Sequence, residues 1–213
     1  MLRQLQPEIL DSLPHDHPDA RHNRRDLRII NGLMGNPRWF LRELPPLLRP
    51  GERVLELGSG TGDLARRLQA RGIPVDGLDL WPRPANWPAD RSWHTADLRE
   101  FEGYEAYPVV IANLILHQFG GPDLARLGEK LRGARVILTC EPARSRRSQF
   151  LFAAASPFFG ANYVSRHDAH VSIAAGFVGG ELARLLGLDD GSRTFRFDRT
   201  GFGATRMIAL RKD

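Results

Sequence analysis

From Arg53 onward the chain alternates short apolar runs with amphipathic ones. Val54-Leu55-Glu56-Leu57 leads into a glycine-rich turn, Leu64, Ala65 and Leu68 then share one helical face, and 74–80 is again strand-like. This order predicts a βαβ unit, because a helical period between two short β-type runs is the mark of a crossover helix. Further strands are expected at 92–96, 109–112 and 135–140, with a helix carrying Leu124, Leu127 and Leu131 between the last two. The closing runs, 194–198 and 205–210, are joined by Thr200-Gly201-Phe202-Gly203-Ala204. That link is too short for a parallel crossover, so an antiparallel pair is expected. The pattern is that of an α/β fold: a seven-stranded, mostly parallel sheet with an antiparallel last strand and helices on both faces.

Ahead of this unit, residues 1–50 read as a tether followed by a helical cap, and 51–213 as the main domain. The first 21 residues are rich in Pro, His and Asp with no sustained period, which suits a segment that orders by docking. Leu27, Ile30 and Met34 then fall on one helix face, Gly35-Asn36-Pro37 stops and restarts the helix, and a second short helix over 39–44 ends at Pro45-Pro46. After Pro142 come an apolar helical stretch, a polar loop around Arg166-His167-Asp168, and a helix near 180–186. Asp168 is placed either as the cap of a helix starting near Val171 or as a partner for a histidine.

Composition narrows the class. The 213 residues are 42% hydrophobic and 26% charged, the makeup of a soluble globular domain with enough chain to bury a core. A net charge of +5 invites a polyanionic partner, but residues 1–133 hold 18 basic and 18 acidic groups, so the surplus lies beyond Gly133. A single cysteine, Cys140, forms no internal disulfide, no Cys/His group has zinc-ligand spacing, and no metal is expected. These features point to a reducing, cytoplasmic setting. The first thirty residues have no signal-peptide core, and the longest apolar stretch, 150–161, is broken by Pro157; no membrane insertion is expected.

The turn after the first strand carries the chemistry. In Val54-Leu-Glu-Leu-Gly58-Ser-Gly60-Thr-Gly62, small residues let the backbone approach a nucleotide-like ligand lying across the carboxyl ends of parallel strands. Asp63 stands where a dinucleotide fold places its third glycine, which disfavours an NAD-dependent oxidoreductase. Glu56 presents a carboxylate, suited to a cationic group rather than a pyrophosphate. Asp79 ends the second strand, where an acidic side chain accepts from ribose hydroxyls.

These residues resemble the class I S-adenosylmethionine-dependent methyltransferases, and the likeness in element order runs from Arg53 to Lys212. The resemblance implies a Rossmann-like fold, S-adenosyl-L-methionine as cofactor and methyl transfer as the activity. It implies that Glu56, Gly58, Gly60 and Gly62 hold the methionine end and ribose and that Asp79 takes the ribose diol, with Leu80 and Trp81 beside the adenine. Asp97 and Leu98 look like the acidic-apolar pair that receives the adenine amino group and covers its ring, and Asn113 lies in the segment bordering the sulfonium. Leu116-His117-Gln118-Phe119 is similar to the LHHF run of small-molecule members; Pro108 departs from the pattern, where many relatives carry an acidic residue. Arg24-Arg-Asp-Leu-Arg-Ile-Ile-Asn31 resembles a segment of methyltransferases encoded beside polyketide synthases.

Methyl transfer is an in-line displacement, so the protein's main tasks are alignment and, for a hydroxyl or carbon acid, removal of a proton. His117 and His167 are the candidate bases, with His170 nearby, because histidine exchanges protons near neutral pH. The segment 143–178 is expected to shape the acceptor side, and four phenylalanines between Phe150 and Phe159 suit either a flat apolar acceptor or packing on the sheet. The expected substrate is a small aromatic or polyketide- or quinone-like molecule methylated at oxygen or carbon. Nucleic-acid methylation is the alternative that Arg144, Arg146 and Arg147 motivate, but Asn113 lacks the NPPY-type sequence of base amino-group methylation. A non-catalytic cofactor-binding protein is another alternative.

Overall fold

A computed structural model describes residues 1–14 and 16–212. Seven strands form one sheet in the order β3-β2-β1-β4-β5-β7-β6. In chain order these are β1 (Val54–Leu57), β2 (Val75–Asp79), β3 (Trp93–Thr95), β4 (Val109–Asn113), β5 (Val136–Pro142), β6 (Arg193–Arg199) and β7 (Ala204–Arg211). The first five run parallel to one another, whereas β7 runs antiparallel to both β5 and β6. The helices are α1 (Pro18–Leu33), α2 (Asn36–Glu43), α3 (Asp63–Gln69), α4 (Gly121–Leu131), α5 (Arg146–Ala155), α6 (Tyr163–Ala175) and α7 (Glu181–Leu185).

The central strands are buried along almost their whole length, and their apolar side chains sort by pleat onto two faces. Leu55, Val110, Ala112 and Ile137 join one core cluster with Leu124, Leu127 and Leu131 of α4 and Leu182 of α7. Val54, Ile111, Val136 and Leu138 join the other with Leu64 and Leu68 of α3 and Trp39 and Phe40 of α2. Successive side chains of a strand point to opposite faces, so a strand covered on both sides shows no regular polar–apolar alternation. Each fully buried leucine or phenylalanine contributes about 1.5–3 kcal/mol. The edge strand β6 differs: Arg196 and Arg199 are exposed along it, which discourages pairing with another chain. Cys140 lies fully buried in β5, and burial pushes its thiol far up from its usual range.

Gly35 adopts a left-handed φ of 71°, so α1 and α2 meet at a turn that only glycine makes without strain. The region after Pro142 departs from expectation at one point. Arg166-His167-Asp168 is not a loop: it lies in the middle of α6, whose N-cap is Asn162, its side chain accepting from the Ser165 amide at 2.9 Å. Asp168 caps no helix, because an asparagine earlier in the chain already supplies that cap. Among the described residues no helix is long and apolar enough to cross a membrane.

Candidate functional site

The glycine turn joins β1 to α3. Gly58, Gly60 and Gly62 all have positive φ, at 62°, 53° and 73°. A β-carbon on Gly58 would sit 2.5 Å from Ile115 and one on Gly62 would sit 2.8 Å from the Trp87 ring, so both positions are closed by neighbours. At Gly60 nothing lies within 4 Å of where a β-carbon would be. The turn therefore offers open space beside bare backbone at its middle glycine, the form a cradle for a ligand takes.

Two carboxylates border this space. Asp79, at the end of β2, accepts from the Gly60 amide at 2.6 Å and the Trp81 amide at 2.9 Å. Burial raises its pKa despite those bonds. Glu56 is 3% exposed, and its Oε2 is a buried oxygen with no hydrogen-bond partner. Burial pushes its pKa up to about 8. An unpartnered buried carboxyl is costly, and an ammonium group arriving there would restore both charge and hydrogen bond. The donor set fits S-adenosylmethionine, which brings an amine and ribose hydroxyls and no phosphate.

The remaining expected cofactor residues are spread along the carboxyl edge of the sheet. Leu80 is 64% exposed, and Trp81 lies under the Arg24 guanidinium, 5.0 Å from its ring centroid. Asp97 is held by Arg99, whose Nη2 and Nε donate at 2.6 and 3.0 Å and which keeps its pKa below the usual carboxylate range. Leu98 packs in the core, its carbonyl accepting from the Tyr104 hydroxyl at 2.7 Å. Asn113 at the end of β4 accepts at Oδ1 from Asn36 of α2 at 3.2 Å. Next to it Leu114 has φ of 59°, a left-handed conformation rare outside glycine, of the kind that concentrates at functional sites.

Beyond β4 a cavity of about 200 Å³ opens between α1, α5 and α6. Leu27 and Met34 of α1 and Leu151 and Phe152 of α5 form apolar walls, while Glu8, His117, Asp168 and Ser172 give it a polar end. His117 is 3% exposed. Its Nδ1 lies 2.7 Å from Glu141 Oε2 and its Nε2 3.4 Å from Glu8 Oε1. Glu141, at the end of β5, also accepts from the Ile115 and Leu116 amides at 3.2 and 2.9 Å. Burial alone would lower the imidazole's pKa, but the flanking carboxylates outweigh it and hold His117 at about 9. At neutral pH His117 is therefore an imidazolium shared between two carboxylates.

The two candidate histidines are not brought together. His167 is half exposed on α6, its Nδ1 3.0 Å from Asp168 Oδ1, and it does not line the cavity. The Asp168 carboxylate instead receives the backbone amides of Ile9 and Leu10 at 2.8 and 3.1 Å. Arg3 reinforces that docking by donating to the carbonyls of Ala175, His117 and Phe119 at 2.7–3.0 Å. Glu8 and Glu141 were invisible as site residues in the sequence. Glu141 sits before Pro142 at the carboxyl end of a strand, a signal that was there to read; Glu8 lies in a stretch without period. Among the described residues no group of His, Cys, Asp and Glu is arranged to hold a metal.

No protein-family model and no curated protein sequence matches the chain. Solved structures do. The plantazolicin methyltransferase BpumL, solved with a triazolic desmethylPZN analog and SAH, superposes with a TM-score of 0.71 at 11% identity, over 96% of this chain and 93% of that one. Human N-acetylserotonin methyltransferase in complex with SAM gives 0.62 at 16% identity, over 95% of this chain and 61% of that one. Strand order, the antiparallel β7 and these likenesses agree: the chain has the Rossmann-like fold of the class I S-adenosylmethionine-dependent methyltransferases.

Proposed function

We propose that this protein is an S-adenosylmethionine-dependent methyltransferase acting on a small aromatic or polyketide- or quinone-like acceptor at oxygen or carbon. The observation that carries this reading is the placement of the apolar cavity. It begins at Leu114, directly after the strand end that borders the Glu56–Gly60–Asp79 cradle, so a donor and an acceptor held in the two spaces meet at the carboxyl end of β4.

When bound, the cofactor supplies an electrophilic methyl group on a sulfonium. Glu56 would hold its amine, the backbone of Gly58, Gly60 and Gly62 would admit its body, and Asp79 would take its ribose. Leu80, Trp81, Asp97 and Leu98 would lie toward its adenine, and Asn113 would lie toward its sulfonium. The cap helix α1 supplies one apolar wall of the acceptor cavity through Leu27, Ile30 and Met34. General-base assistance belongs to the carboxylate–imidazole group around His117; His167, pointing away from the cavity, is the weaker candidate. A labelled-methyl assay against pooled phenols, quinols and RNA tests the reading: transfer to a phenol or quinol is expected, and transfer to RNA alone would replace it.

A further inference from the structure

The polar end of the acceptor cavity is also one wall of a second space. Glu8, Gln118, His117 and Ser172 line both the cavity and an outer groove that runs past Leu5, Pro7 and Asp11. Asp11, Leu5 and Gln118 are exposed there, so the groove meets solvent. The partition between the two spaces is thus the Glu8–His117 contact itself.

We propose that Glu8, brought in by the N-terminal segment, is a catalytic proton relay that takes the acceptor's hydroxyl proton inside the cavity and passes it through this partition to Asp11 and solvent. The proposal rests on methyl transfer to a hydroxyl as read above. In that reaction the acceptor's O–H bond breaks, its oxygen bonds the methyl carbon, and the sulfur keeps the electron pair of the broken S–C bond. One proton is left over per turnover, and Glu8, which lines both spaces, offers it a path to the outer groove.

The surroundings suit the task. Glu8 Oε1 accepts from the Ser172 hydroxyl of α6 and faces His117 Nε2, and its Oε2 accepts from Gln118 at 3.3 Å. Against the cost of burial, these partners, His117 foremost, hold its carboxyl below the usual range, so it stands ionised and able to accept. Asp11 lines the same outer groove, where desolvation first and then the carboxylates of Glu8 and Asp168 push its carboxyl up to about 6. The other charged groups facing the pair are Glu141 of β5 behind His117, Asp168 of α6, and Arg3 on the same segment. His117, whose two carboxylates favour its imidazolium form, holds Glu8 in place at the partition.

Glu8→Gln keeps the shape of the side chain and removes its ability to take a proton. With an unactivated phenol that the wild type methylates, kcat is expected to fall about 100-fold or more, the loss typical of a missing general base, while acceptor KM and SAH affinity stay within threefold. With a nitrophenol already ionised at the assay pH the loss should shrink to a few-fold, which a merely structural role would not produce. Glu8→Asp should recover part of the rate, and Asp11→Asn should remove the rise of kcat with pH near 6. A Glu8→Gln kcat within threefold of wild type on the unactivated phenol, or an equal loss on both phenols, overturns the relay alone. A wild type that methylates only carbon acceptors overturns the relay and leaves the proposed function standing, whereas one that methylates neither oxygen nor carbon acceptors overturns both.

Discussion

The Gly60 amide donates to the Asp79 carboxylate at 2.6 Å, which ties the glycine turn to the end of β2 as one unit. Cofactor binding should therefore fail together at both residues. Asp79→Ala is expected to weaken SAH binding by roughly 10- to 100-fold, the scale of a charge-assisted hydrogen bond, and Gly60→Ala by a similar factor through steric filling. Calorimetry reads both. Unchanged affinity in the pair would place the cofactor elsewhere.

Glu56 gives binding a pH dependence. Its carboxyl is protonated in the free protein until about pH 8, so capturing an ammonium group must expel that proton. SAH affinity is expected to rise from pH 6 toward pH 8, with proton release visible as heats that vary with the buffer's ionisation enthalpy. Glu56→Gln should flatten that rise.

The same group makes the unliganded fold more stable at low pH. A carboxyl raised from 4.5 to about 8 binds its proton more tightly when folded, so its contribution is present below the unfolded value and lost as pH climbs toward 8. His117 acts in the same direction over a different window: raised from 6.5 to about 9, it stabilises fully below 6.5, and the contribution disappears as pH rises through 9. Melting temperature should fall from pH 6 to pH 9. Glu56→Gln should flatten the lower part of that fall and His117→Gln the upper part.

Gly58 has no room to change. Its φ of 62° and the Ile115 side chain 2.5 Å from a β-carbon act together. Gly58→Ala should cost about 2–4 kcal/mol from left-handed strain plus overpacking. Urea unfolding measures it, and a loss under about 0.5 kcal/mol, the surface-mutation range, would show that the turn relaxes freely.

Asp168 is the clasp for residues 9 and 10. Asp168→Ala should leave α6 helical but free the N-terminal segment, seen as faster proteolysis before Pro18 and faster amide exchange at Ile9 and Leu10. Protection unchanged from wild type would mean that the Arg3 and Glu8 contacts hold the segment without Asp168.

How much of this was legible in the sequence depends on the range of the interaction. The central strands were readable because each is largely a local apolar run, β6 because Phe195 and Phe197 alternate with polar residues, and Val54 to Gly62 with Asp79 stood out because the turn needs glycine and the strand end needs a carboxylate. Arg166-His167-Asp168 mimics a loop because exposed Arg166 and His167 adjoin a polar residue on the buried face of the helix; Asp168 and Ser165 are buried there among partners from residues 9, 10 and 26, far away in sequence. Glu8 reaches His117 across 109 positions, and no local pattern reports such a contact.

The burial of Cys140 has a practical side. As the chain's lone thiol, sealed inside β5 and resistant to ionisation, it will not compete for a maleimide dye. A single exposed cysteine, such as Gln4→Cys beside the Ala174 carbonyl, would then carry one fluorophore at one address. Its emission would follow the docking of the first residues in real time, turn by turn of the reaction, without any need to protect the rest of the protein.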